Sequence, residues 1–110
     1  MGAEELLKTY IILYNYGVDS GDFNPLLELF DENSILEFED DGIGKFEGKD
    51  NIGRMLTLQS PSIRIRLSNE KSDIESASAD FSDEEKPDYR LGGFKLCKNG
   101  NKIGSLYVSG

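Results

Sequence analysis

The chain has 110 residues, a net charge of −9 from 21 acidic against 12 basic side chains, one cysteine and no histidine. That composition excludes serine–histidine and cysteine–histidine nucleophiles outright, and it leaves too few imidazole or thiolate ligands for a zinc, copper or haem site. The acidic balance also argues against nucleic acid or an anionic membrane surface as a partner, since both are held by cationic contacts.

Leu6, Leu7, Tyr10, Ile11, Leu13, Tyr14 and Val18 recur at helical spacing and predict a first helix from about Glu4. Glu4 and Glu5 suit the positive end of its dipole. Gly17 and Gly21 supply the break that ends it near Asp19. Asp22 or Asn24 can cap a second, short helix with Pro25 near its start and Leu26, Leu27, Leu29 and Phe30 on its apolar face. Asp31-Glu32-Asn33 reads as a turn. Ser34–Glu39 alternates as a strand, with Leu36 and Phe38 on one face and Ile35, Glu37 and Glu39 on the other. After Asp40-Asp41-Gly42, Ile43–Glu47 is a short strand. A third helix begins at Asp50 or Asn51, carries Ile52, Met55, Leu56 and Leu58, and stops before Pro61.

From Ser62 the period is two. Ser62–Leu67, Ile74–Phe81, Tyr89–Cys97 and Lys102–Val108 read as strands, with a polar turn at Ser82–Pro87. Gly92-Gly93 allows a bulge, and Lys98-Asn99-Gly100-Asn101 is a hairpin turn. The fold class is α+β, in the order α-α-β-β-α-β-β-β-β. One domain is expected over residues 1–110. The lone Cys97 permits no intrachain disulfide, which fits a cytoplasmic protein. The opening Met1-Gly2-Ala3-Glu4-Glu5 lacks the basic and apolar regions of a secretory leader. No apolar run reaches the roughly 20 residues of a membrane span.

The Gly21-Asp22 break, Leu29-Phe30, the Ser34–Glu39 strand and Gly48-Lys49-Asp50-Asn51-Ile52 opening a helix fall in an order that resembles the nuclear transport factor 2-like superfamily. This is the cystatin-like cone of ketosteroid isomerase and the SnoaL-like polyketide cyclases. The resemblance implies a curved antiparallel or mixed sheet wrapped around three helices, with a pocket at its open end. It places Tyr14 where the isomerase has its oxyanion-hole tyrosine and Phe38 where it has its general base. Gly92 falls where the isomerase has its protonated aspartic acid. The missing base argues against steroid isomerisation. A pocket bordered by Tyr14, Val18, Phe30, Phe38, Met55, Phe94 and Leu106 is implied, because these lie on the inward parity of their elements in that alignment.

Glu37 and Glu39 face outward if Phe38 faces inward, which removes them from catalysis. Arg54, Arg64 and Arg66 are the basic residues to consider as an anion anchor or a solvated or dimer-facing set. Asp80 and Asp88 have only their position to recommend them. Cys97 next to Lys98 has no partner base. Three functions are compatible with this pattern, none needing a cofactor or a metal. One is a SnoaL-like domain binding a small, mainly apolar ligand. Another is a non-catalytic interaction module that dimerises through the outer sheet face, where Leu91, Ile103 and Tyr107 lie on the parity opposite to Phe94, Leu96, Leu106 and Val108. The third is an isomerase, cyclase or dehydratase using Asp, Glu or Tyr.

Overall fold

The computed structural model describes residues 2–110. Helix α1 runs Ala3–Ser20, α2 Asn24–Leu27 and α3 Lys49–Gln59. The strands are β1 Phe30–Phe38, β2 Lys45–Glu47, β3 Ile65–Ser72, β4 Ser76–Asp83, β5 Arg90–Asn99 and β6 Lys102–Ser109. They form one mixed sheet in the order β2-β1-β6-β5-β4-β3. Only β1 and β6 are parallel; the other neighbours are antiparallel. The sheet curves without closing, and all three helices lie on its concave face. No helix among the described residues is long and apolar enough to cross a membrane.

Helix α1 stops where Gly21 takes a φ of +80° and its N–H donates to the Gly17 carbonyl at 2.7 Å. The φ value suits glycine because a side chain there would crowd the following carbonyl. The short α2 is wedged between the other two helices by close contacts. A β-carbon on Gly17 would sit 2.3 Å from the Phe23 ring, and one on Gly53 would sit 2.8 Å from Leu27. Helix α1 then covers β3, β4 and β5, and α3 covers β1 and β2. The core between helices and sheet is built on Leu6, Tyr10, Leu26, Phe30, Ile52, Leu96, Ile103 and Leu106.

The sequence reading differs from the fold at three joints. Phe30 opens β1 rather than closing α2, and Asp31-Glu32-Asn33 is a bulge inside β1 rather than a turn. Against β6 the register jumps from Phe30–Ile103 to Ile35–Ser105. The buried Ser34 hydroxyl donates to the Ile103 carbonyl within that bulge, so the irregular backbone keeps its partners. β3 begins at Ile65, leaving Ile63 exposed, and it runs on through the polar stretch to Ser72.

Ile103 turns inward and is completely buried. The β5–β6 register passes from Cys97–Ser105 to Lys98–Ile103, so Gly104 is an extra residue that reverses the parity. A further bulge, between Phe81–Gly92 and Ser82–Arg90, leaves Leu91 unpaired.

Asn15 joins α1 to the sheet. Its amide donates to the Ile65 carbonyl at 2.9 Å and accepts from the Ile65 N–H at 2.9 Å. It thus satisfies both backbone groups of the first residue of β3. Asn15→Ala should cost roughly 1–3 kcal/mol in urea denaturation, the price of unmade buried hydrogen bonds. An unchanged midpoint would show that water replaces the amide without loss.

Candidate functional site

A cavity of about 280 Å³ opens between the helices and the concave face of the sheet. Tyr10 and Tyr14 reach it from α1, one turn apart on the same helix face. Leu26 comes from α2, and Ile52, Met55, Leu56 and Gln59 from α3. The sheet supplies Phe30, Leu36, Phe38, Ile65, Phe81, Phe94 and Val108. Ile43, Gln59 and Pro61 line it from loops and a helix end that are at least partly exposed, which marks the mouth.

The walls are largely aromatic. Tyr10 meets Phe94 edge-on at 5.5 Å and Phe30 edge-on at 6.3 Å, and Phe81 stacks on Phe94 at 4.4 Å. Tyr10 and Tyr14 have ring centroids 6.0 Å apart. Neither hydroxyl has a protein hydrogen-bond partner among the described residues, and neither oxygen is fully enclosed, so both reach open space. Burial pushes both hydroxyls above their ordinary range, and for Tyr10 the nearby Tyr14 adds to the effect. Both therefore stay protonated at neutral pH, as hydrogen-bond donors that give up their protons less readily than an exposed tyrosine.

Of the seven residues expected at a pocket, Tyr14, Phe30, Phe38, Met55 and Phe94 lie together on the cavity wall. Val18 and Leu106 do not. Val18 is half-buried in the last turn of α1, past the cavity, and Leu106 is covered between Leu36 and Leu96. The position on β6 that meets the cavity is Val108, one inward step further on. Phe81 was missed because its strand is weakly patterned, although it shares parity with the buried Ala77 and Ala79. Gln59 carries no periodic signal.

The charged residues singled out in the sequence lie elsewhere. Glu37 and Glu39 are exposed. Arg64 is bound to Asp19 and to Glu84, the latter at 3.2 Å. Arg54 is exposed and lies 3.5 Å from the Asn51 side-chain oxygen, and Arg66 is exposed. Asp80 is held at 2.9 Å by Arg90 and at 2.8 Å by Asn69, and Asp88 is exposed. Cys97 is a free, half-buried thiol. Gly92 is buried beside Phe81, where a β-carbon would lie 2.1 Å from the Ser109 carbonyl. The cavity wall therefore offers two hydroxyl donors and an amide among apolar groups, with no carboxylate, ammonium or guanidinium. Among the described residues no three His, Cys, Asp or Glu side chains are grouped to hold a metal ion.

No protein-family model and no curated protein sequence matches the chain. Solved structures do. An NTF2-like protein from Anabaena variabilis aligns with a TM-score of 0.76 at 18% identity, covering 96% of this chain and 87% of its own. A SnoaL-like protein of unknown function from Burkholderia thailandensis gives 0.73 at 12% identity, with 96% and 92% covered. A protein from Kribbella flavida, provisionally assigned as a ketosteroid isomerase, gives 0.70 at 16% identity, with 96% and 74% covered. Likeness at these identities is a likeness of fold, and one fold hosts many functions.

Raised tyrosine pKa values carry a stability consequence with a definite sign. The folded state holds these protons more tightly than the unfolded chain. The associated stability is intact below the unfolded value near ~10 and is lost as pH rises above it. Urea denaturation from about pH 9 to about pH 11.5 should show a steep loss for the native chain and a shallower one for Tyr10→Phe. Parallel curves would mean that Tyr10 ionises in the fold as freely as in the unfolded chain.

Proposed function

We propose that this chain, which has the nuclear transport factor 2-like fold, binds a small, neutral, mainly apolar molecule in its cavity. The carrying observation is the chemistry of the wall: aromatic and aliphatic groups with two unpaired hydroxyls and no charge. Pockets that hold small molecules have this character, apolar with a few placed polar groups. An ionised ligand would be buried there without a partner, which is costly. The size supports a two-ring molecule, since about 280 Å³ is nearly twice the ~150 Å³ of an apolar cavity that takes benzene. Tyr14, with Tyr10 behind it, is the polar anchor for an acceptor oxygen on the ligand.

Turnover has less support. Proton abstraction needs a base within hydrogen-bond reach of the reacting group, and Phe38 stands where the resemblance would put one. A second reading concerns assembly. Tyr107 is 38% exposed on the outer face of the sheet, and that exposure favours a homodimer through this face. The acidic balance and the single thiol support a cytoplasmic protein with no nucleic-acid or membrane partner.

Titration calorimetry with 2-acetylnaphthalene, a neutral two-ring ketone, tests the ligand reading. Saturable binding at one site per chain is expected. Tyr14→Phe should weaken it by about 0.5–1.5 kcal/mol, the net worth of one hydrogen bond. Val108→Trp should block it by filling the cavity. If neither this ketone nor naphthalene binds saturably, the cavity is a packing void. If Tyr14→Phe binds as tightly as the native chain, Tyr14 is not the anchor.

A further inference from the structure

Among the described residues the cavity wall has three polar side chains, and the protein uses none of them. Tyr10 and Tyr14 stand on α1, and Gln59 is the last residue of α3. No hydrogen bond joins any of these three side chains to another described residue. Every other lining side chain is aliphatic, aromatic or the Met55 thioether. Polar groups that face a protein interior are normally paired.

The three stand at different depths. Tyr10 is 5% exposed and meets Phe30 and Phe94 edge-on, deep in the core. Tyr14 is half-buried, one turn nearer the end of α1. Gln59 is exposed and belongs to the mouth, with Ile43 and Pro61. Its position is fixed by the backbone. Helix α3 ends there, Ser60 takes a left-handed φ of 44°, and the Ser60 N–H donates to the Leu56 carbonyl at 3.0 Å. Pro61 then restricts the chain further.

We infer that the cavity reads its ligand at both ends: an acceptor oxygen lies against the tyrosines inside, and Gln59 selects an uncharged hydroxyl at the outer end. The inference rests on the ligand-binding reading above and adds the second polar group and the residue that chooses it. A molecule that fills the roughly 280 Å³ touches all three polar groups, since each lines the same space. At the mouth, the Ile43 and Pro61 side chains cannot hydrogen-bond. A polar outer group therefore has the Gln59 side chain or water. An amide offers both N–H donors and a carbonyl acceptor, which suits a hydroxyl that also gives and accepts. No carboxylate, ammonium or guanidinium lines the mouth, so a charged outer group would find no counter-charge. Gln59 is thus a specificity residue, one that distinguishes ligands of the same shape. Water competes for it, so the discrimination is several-fold and short of the large factor of a dry site.

The experiment is titration calorimetry of the full chain at neutral pH with two ketones of nearly the same shape, 6-hydroxy-2-acetylnaphthalene and 6-methyl-2-acetylnaphthalene. Burial alone favours the methyl compound. The native chain should nevertheless bind the hydroxy compound at least about threefold more tightly. Gln59→Met keeps the length of the side chain without the amide, and it should remove that preference by weakening the hydroxy ketone only. Tyr14→Phe should weaken both ketones alike and leave the preference in place. Circular dichroism checks that the variants fold, and Gln59→Leu replaces Gln59→Met if it does not. If neither ketone binds saturably, the ligand reading fails and takes this inference with it. If both bind but the native chain does not prefer the hydroxy ketone, or the preference survives Gln59→Met, the two-ended reading alone is overturned. A preference lost in Tyr14→Phe instead would place the hydroxyl at the tyrosines and overturn the role of Gln59.

Discussion

The parallel pairing of β1 with β6 is the contact on which the rest of the cone depends. It joins the strand that carries β2 and α3 to the end of the meander formed by β3 to β6. The Ile103 N–H donates to the Leu29 carbonyl at 2.8 Å, and the Ser34 hydroxyl reaches the Ile103 carbonyl across 69 positions of sequence. Leu36, Phe38 and Ile52 stand on one side of this seam, and Ile65, Phe81 and Phe94 on the other. Without it there would be two incomplete layers and no enclosed space. Contacts this distant in sequence must overcome the entropy of closing the intervening loop, so the seam is expected to form late in folding.

The cavity follows from how unevenly the concave face is filled. Beside Leu96 and Phe94 of β5, β4 places only Ala77 and Ala79, and its one large inward residue, Phe81, pairs with Gly92. Small residues there let α1 settle close to the sheet over β3 to β5. Helix α3 lies over the other side, on β1 and β2, and the space between the two helices is left to aromatic rings that meet both edge-on and stacked. Interiors are normally packed as tightly as organic crystals. A space of this size in a domain this small forgoes dispersion contacts that a ligand of matching shape could restore. The tyrosine hydroxyls make the same point in polar terms, since a core needing no guest would be expected to pair them.

Much of this was legible in the sequence. The change from period 3.6 to period 2 near Ser60 located the helices and strands. Inward parity within each element brought Tyr14, Phe30, Phe38, Met55 and Phe94 to one place. What failed was whatever depends on a backbone irregularity. Gly104 carries no pattern that announces an extra residue, yet it turns Ile103 from the outer face into the core. The Asp31–Asn33 segment has turn chemistry and is in fact a bulge held from both sides. Val18 and Leu106 have the right parity but the wrong depth, because periodicity fixes direction and says nothing of position along the cavity. Asn15 was invisible for another reason. Its partner, Ile65, is 50 positions away, and a polar residue beside Tyr14 on a helix has no periodic signature.

The Asn15 amide has a meaning beyond holding α1 to the sheet. An open sheet has two borders whose free N–H and C=O groups invite another chain to add a strand, the first step of amyloid-like growth. One border here is β2, only three residues long. The other is β3, and it is blunted along its length. Asn15 occupies both free groups of Ile65, Asn69 adopts a left-handed φ of 52° where the register slips, and Lys71 follows with a charge. A strand added there would find no straight run of unpaired groups. Lateral fibrillar growth is thereby discouraged by the fold itself.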